Sequence, residues 1–304
     1  MLIKVLSICF FLISSQSIFA QEFTSSNLPI IVINVPWPGI FDEPKVDATM
    51  QIIFNESGEK NKITDTDFHY DGHIGIELRG QSSLQLFPKK SYGLETREAD
   101  GSNRNVSLFG WPQENDYVLH SPYSDKSLIR NALTYSLASE IMGYAPRTQH
   151  CELVINDEYK GVVVMVEKIK RDKGRIDISK LDTDDNEGDD LTGGYILRFD
   201  KNSFNDVAWI SPFKPDPSSP QETRFIYHYP KVNNITDQQF NYIKDYITDF
   251  ENVLAGDNFK DLEDGYAKYI NDSSFIEHMI INELTRNVDG YRLSTYMYLS
   301  LIHI

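Results

Sequence analysis

The sequence predicts an α+β chain in which strands lead and helices follow. Three observations carry that reading. Apolar β-branched runs broken by turn residues fill the stretch from Leu28 to Arg97, a four-residue apolar period sets in after Ser124, and a helical period returns from Thr236 to Leu284.

The strands come first. LPIIVINV begins at Leu28, PWPG makes a turn, and VDATMQIIF runs to Phe54. HIGIELRG alternates at Ile74, Ile76 and Leu78, and KKSYGLETR at Tyr92 and Leu94. In SDKSLIRNALTYSLASEIMGYAP the period changes, and Ile129, Leu133, Leu137 and Ile141 fall on one helical face. Ser124 or Asp125 suits the start of that helix, Gly143 its end, and Pro146 forbids continuation. CELVIN and YKGVVVMVEKI flank Asn156-Asp157-Glu158 as a hairpin ending at Glu167, and GGYILRFDK supplies a further strand. In the last third, Phe240, Ile243, Ile247, Phe250 and Leu254 mark one helix, with Thr236 or Asp237 as cap and Gly256 as stop. Phe275, Met279, Ile280 and Leu284 mark a second. DTDDNEGDD (182–190) and SPFKPDPSSPQETR (211–224) read as exposed excursions rather than interdomain linkers, because strand-like sequence resumes after each.

Both ends of the chain carry their own message. MLIKVLSICFFLISSQSIFA joins a positive Lys4, an apolar run from Val5 to Ile13 and a polar stretch ending at Ala20, the pattern of a secretory signal peptide. Cleavage after Ala20 leaves Gln21 first, so no lipidated cysteine is expected, and no later segment is apolar enough to span a bilayer. The expected product is exported, to a periplasm, the cell surface or the medium. It keeps 284 of the 304 residues, and loss of Lys4 takes the net charge from −16 to −17. That excess speaks against nucleic-acid binding, where cations dominate affinity. Cys9 leaves with the signal, so Cys151 has no internal disulfide partner and reads as a small buried hydrophobe. LSLIHI (299–304) is the translation of CTGTCTCTTATACACATC, which looks like a transposon end used in preparing sequencing libraries. The natural sequence is therefore expected to run to about Tyr298 and to differ beyond it. The organisation expected is a signal peptide (1–20), a β-rich N-terminal region (21–70), a main domain (71–298) and the adaptor translation (299–304).

Three places hold residues with chemical capacity. In IELRGQSSLQLFPKKSYGLE, Gly80 allows close backbone approach, Ser82 and Ser83 offer hydroxyls, and Arg79, Lys89 and Lys90 supply charge. Taken alone this reads first as a structural hairpin with a basic edge and second as an anion pocket; it lacks the strand-GxxxxGK[ST]-helix order of a P-loop. In NELTRNVDGYRLSTYMYL a helix ends and Asp289 sits in a turn, where a carboxylate can accept a hydroxyl proton or hold a metal. Asp-Gly is also a common turn dipeptide. Glu167 closes an apolar strand, where it can pair a cation, meet a ligand or sit in solvent. The seven histidines show no zinc spacing, no GxSxG elbow is present, and 182–190 lacks the calcium-loop ligand pattern.

Taken in order, LPI, IELRGQSS, FPKKSYGLE, YSDKSLIRNAL, VINDEYKGVVVMVEKI and NELTRNVDGYRLSTYMYL resemble the spore-coat CotH kinase family over roughly residues 28–298. The resemblance implies an atypical protein-kinase-like fold, its C-terminal lobe incomplete in this chain. It also implies an enzyme that uses ATP with Mg2+ or Mn2+ to phosphorylate serine or threonine of secreted or cell-surface proteins. On that resemblance Asp289 matches the catalytic-loop aspartate, while Ser294 stands where many members have the asparagine that holds metal or loop. Lys90, and with it Lys89, matches the phosphate-neutralising lysine, and Arg79, Gly80, Ser82 and Ser83 the phosphate-facing turn. Glu167 matches a strand-end glutamate, either pairing the lysine or lining the nucleotide pocket, and Arg130 a basic position with a structural ion pair. The family's further metal-binding aspartate belongs to a Trp-Asp-type segment downstream, so this chain is expected to be inactive by itself. The competing expectation is a non-catalytic, pseudokinase-like surface or matrix-binding protein. A third, an autotransferase with another nucleotide geometry, is not separated from the first by these residues.

Overall fold

The computed structural model describes residues 23–201, 203, 206–218 and 220–300; the signal-peptide reading, Cys9 with it, and residues 301–304 of LSLIHI lie outside the described residues. In its first half the chain forms β1 (Ser25–Ser26), β2 (Ile30–Asn34), β3 (Val46–Ile53), β4 (Asn61–Lys62), β5 (Tyr70–Arg79), a short helix α1 (Ser82–Leu86), β6 (Ser91–Arg97), β7 (Asp116–His120), α2 (Arg130–Ile141), β8 (Thr148–Ile155) and β9 (Glu158–Glu167). There follow α3 (Gly188–Leu191), β10 (Tyr195–Phe199), β11 (Ala208–Ile210), β12 (Arg224–Tyr229), α4 (Asp237–Ala255), α5 (Asp272–Thr285) and β13 (Thr295–Leu299). The chain is α+β and rich in strand, as its periodicities predict.

Seven strands close into a barrel in the order β2-β3-β5-β6-β7-β9-β8. All neighbours are antiparallel except β2 and β8, whose parallel pairing seals the cylinder. Closure leaves no free barrel edge and gives every inward residue a packed environment. Ile31, Ile33, Met50, Ile52, Ile74, Ile76, Leu94, Leu119, Cys151, Leu153, Val163 and Met165 fill the interior. Their alternation along each strand is the period-two pattern visible in the sequence. Strands from both sides of residue 70 share this core. The β8–β9 hairpin turns where expected: Asn156 and Asp157 both take left-handed φ (49° and 64°), the geometry a two-residue turn between twisted strands requires.

Residues 168–194 carry the chain to a second, antiparallel sheet of order β11-β12-β10-β13. One face packs Tyr195, Leu197, Trp209, Phe225 and Tyr227 against Ile243 and Ile247 of α4. Thr236 and Gln239 complete the capping box at the start of α4, and Gly256 ends it. The opposite face packs Ile196 against Ile176 and Ile178 of the connecting segment.

Three details differ from the sequence-based expectation. The helix α2, expected to start at Ser124 or Asp125, begins at Arg130, whose N–H donates to Asp125 Oδ2 at 2.9 Å. The 80–86 stretch, anticipated as a hairpin turn, contains a helical turn, α1, between β5 and β6. The apolar stripe of α2 is largely open: Ile129, Leu133, Leu137 and Ile141 are 38–50% exposed, as are Phe275, Ile276, Met279 and Ile280 of α5 to a similar degree. An amphipathic stripe normally covers a core; here α2 and α5 contact one another while both stripes stay exposed. No helix among the described residues is long and apolar enough to cross a membrane.

Candidate functional site

The Arg-Gly-Gln-Ser-Ser turn leaves the barrel at the end of β5. Its shape depends on Gly80, whose φ of +117° is a region that side chains rarely adopt, and where an added methyl would overlap Ser83 Oγ. Ser82 and Ser83 open α1, and the last turn of α1 is held by Lys90, whose Nζ donates to Leu84 O at 2.6 Å and Phe87 O at 2.7 Å. Lys89 Nζ donates to Val162 O on β9. The lysines of FPKKSY are thus engaged by backbone carbonyls: they brace the turn from beneath. Arg79, exposed at the strand end, has no hydrogen-bond or ion-pair partner among the described residues.

Across from this turn lies the end of β10. The β10–β13 ladder runs from Tyr195↔Leu299 to Phe199↔Thr295, so Asp200 and Ser294 emerge side by side from its end. Lys201 then reaches back, and its Nζ donates to Ser82 Oγ at 2.5 Å. This contact joins the second sheet to the α1 turn of the barrel.

Several cations gather near this contact. Burial lowers the pKa of Lys168, at the exit of β9, and the nearby charges of Lys45 and Arg79 lower it further, against the pull of Asp116 3.3 Å away. His228 on β12 donates from Nε2 to Ile169 O at 2.9 Å and is driven down to about 4, by burial first and then by Arg198, Lys168 and Arg79. Its ring meets Tyr296 edge-on with centroids 5.1 Å apart. Burial raises the Tyr135 phenol on α2, while Arg79 pulls it back. Arg198, Lys168 and Arg79 thus all bear on His228, and Arg79 bears on Lys168 as well. Arg198 and Lys168 are balanced by Asp206 (2.5 Å) and Asp116, whereas Arg79 is not. Beside α1 and the first turn of α2 a cavity of about 220 Å³ is lined by Ser83, Ser91, His120, Arg130 and Asn131. Asn131 Oδ1 is buried there without a partner. The Arg130 guanidinium stays in solvent, 3.7 Å from Asp125.

The loop bearing Asp289 is tightly built. Arg286 ends α5 in left-handed conformation, and Asn282, nearly fully buried, accepts from Asn287 Nδ2 at 2.9 Å and donates to His278 O at 2.8 Å. His278 Nε2 donates to Gly290 O at 3.0 Å, and Thr295 Oγ1 to the same oxygen at 2.5 Å. The Asp289 carboxylate faces outward and pairs with Arg292 at 2.8 Å. Ser294 holds φ +54°, a conformation that asparagine tolerates better than serine. Among the described residues no three His, Cys, Asp or Glu side chains converge to hold a metal. Asp289 and Asp200 are each paired with an arginine.

Glu167 lies elsewhere. Strand alternation turns it, with Val163 and Met165, to the interior face, opposite Tyr117. Its carboxylate accepts from Arg147 N and Arg147 Nη1, both at 2.9 Å, and lies 3.8 Å from Arg175 Nε. Arg175 in turn donates to Lys168 O and Asp116 O at 2.7 Å and stacks over Tyr117. The cations that meet Glu167 are Arg147 and Arg175 rather than a lysine.

The structure thus gathers Arg79, Gly80, Ser82 and Ser83 with Lys201, and leaves Lys89, Lys90 and Glu167 in bracing contacts. Lys201, Lys168, Arg198 and His228 escaped the sequence reading. The available signal was GGYILRFDK, in which two cations flank an aspartate at a strand end, together with the Lys168 that directly follows Glu167.

Residues 76–301 match the family model described as CotH kinase protein. No curated protein matches the sequence significantly. The matched span covers well over half of the 304 residues and takes in the Arg79–Ser83 turn, the β9 exit, β10 and the Asp289 loop: the chain belongs to the CotH kinase family.

Proposed function

We propose that this protein supplies the nucleotide-binding part and the catalytic loop of a protein kinase that transfers the γ-phosphoryl group of ATP, with Mg2+ or Mn2+, to serine or threonine of secreted or cell-surface proteins. In this reading the barrel and the sheet after it are the two halves of a kinase-like fold, with the cations gathered where they meet marking the nucleotide site. The observation that carries it is the gathering of cations there, with Arg79 left without a carboxylate. Phosphoryl transfer asks mainly for positioning and charge neutralisation. Asp289 accepts the proton of the substrate hydroxyl, on a loop that Asn282, His278 and Thr295 hold in place. The export signal at 1–20 and the foreign character of 299–304 belong to the same proposal, as does the need for a further acidic metal ligand from the gene's own continuation.

The test compares two proteins: this chain without residues 1–20, and the product of the gene read through codon 298. Calorimetric titration of ATP and transfer of radiolabelled phosphate to casein or to the protein itself are measured for both. ATP binding by both, with transfer by the longer product alone and its loss in Asp289→Asn, supports the proposal. If the longer product binds ATP but transfers nothing, the non-catalytic binding role takes its place. Absence of ATP binding by both refutes the nucleotide site.

A further inference from the structure

We infer that Arg79 and Lys201, rather than Lys89 and Lys90, grip the phosphate groups of the nucleotide, drawing the barrel and the β10–β13 sheet together as they do so. The inference rests on the nucleotide reading above and names the residues that serve it.

The argument is one of commitment. An ammonium that serves an anion must be free of stronger partners or must exchange them at little cost. Lys90 holds two carbonyls at the end of α1, and withdrawing it would strip both acceptors and loosen the turn that carries Ser82 and Ser83. Lys89 lies over Gly161 and holds Val162 O on the β9 side. Arg79 and Lys201 stand in the opposite position. Arg79 has no partner among the described residues, and Lys201 meets only the neutral hydroxyl of Ser82, with no carboxylate against its Nζ among the described residues. The two belong to different halves of the molecule, Arg79 to the barrel through β5 and Lys201 to the second sheet through β10, and Ser82 lies three residues from Arg79.

Two cations of separate halves meet at one turn, and among the described residues neither has a carboxylate partner there. A polyphosphate then neutralises both and exchanges the Lys201–Ser82 hydrogen bond for a charge-assisted one. The planar guanidinium suits two phosphate oxygens at once, whereas the ammonium acts as a point charge on its flexible stem. Binding energy is thereby converted into closure of one half on the other.

The test uses the full mature chain, with ATP and inorganic tripolyphosphate as separate probes in calorimetric titrations at two salt concentrations, and urea unfolding of each variant. Arg79→Ala and Lys201→Ala are each expected to weaken both probes about tenfold or more and to flatten the salt dependence, with unchanged unfolding midpoints. Lys201→Arg is expected to recover most of the affinity. Lys89→Met and Lys90→Met are expected to lower the unfolding midpoint, and Lys89→Met to leave ATP affinity within about threefold. If ATP binds the parent protein and Lys201→Ala alike while Lys90→Met abolishes binding, the clamp assignment is wrong and the nucleotide reading stands. If tripolyphosphate binds through Arg79 and Lys201 but ATP does not, the clamp stands and the nucleotide reading falls. If the parent protein binds neither probe, the clamp is overturned.

Discussion

Replacing Glu167 by glutamine tests whether this strand-end carboxylate serves the fold or a ligand. Its side chain is 1% exposed, and so is that of Arg175, so the charge change occurs without help from water. Glutamine is nearly the same size, and its one carbonyl oxygen can keep one of the two 2.9 Å contacts from Arg147. Its amide NH2 would face a donor in the other. The larger loss is the counter-charge of Arg175, only partly met by Lys168 O, Asp116 O and the face of Tyr117. Removing one member of a buried pair costs about 3–5 kcal/mol. With a denaturant slope of about 3 kcal/mol per molar urea, suited to a chain of this size, the midpoint should fall by about 1–1.7 M. The assay is urea unfolding followed by tryptophan fluorescence and circular dichroism, with ATP titration of the folded variant alongside. A variant with the parent's midpoint that fails to bind ATP would refute the reasoning and return Glu167 to the nucleotide pocket.

Three further outcomes are expected. In Gly290→Ala the added methyl overlaps Asn282 Oδ1 and lies 2.8 Å from Asn287 Nδ2, so the loop under Asp289 must shift; a loss of about 2–3 kcal/mol in unfolding free energy, and loss of transfer by the read-through product, check this. His228 is depressed to about 4 in the folded protein against about 6.5 unfolded. The unfolded chain therefore takes up a proton that the folded one refuses, and stability complete above pH 6.5 should fall by up to about 3 kcal/mol as pH drops towards 4. Unfolding at stepped pH should show that slope, reduced in His228→Gln and not abolished, because His69 and His120 are also lowered by burial. Cys151, fully buried in the barrel with its thiol pushed up by desolvation, should resist iodoacetamide in the native protein and react only in denaturant.

Much of this architecture follows from local sequence. The hairpin at Asn156-Asp157, the capping box at Thr236, the strand alternation at Ile74, Ile76 and Leu78 and the end of β9 at Glu167 are each decided by residues within a few positions of one another, so they are legible before any tertiary contact is known. The family follows too, because its motifs are short, ordered and local. Tertiary structure decided what those residues face. Closure of seven strands through the parallel β2–β8 pair is a long-range contact that no local period encodes. The exposed stripes of α2 and α5 show the converse, since periodicity identifies a helical face without saying what covers it. The same holds for charge. Sequence proximity grouped Lys89 and Lys90 with the serines of the turn, yet backbone carbonyls claim both ammoniums. Lys201, more than a hundred residues away in the chain, reaches Ser82 because antiparallel pairing of β10 with β13 carries it there. A charged group's role depends on which oxygen lies within 3 Å of it, and that distance is set by the fold.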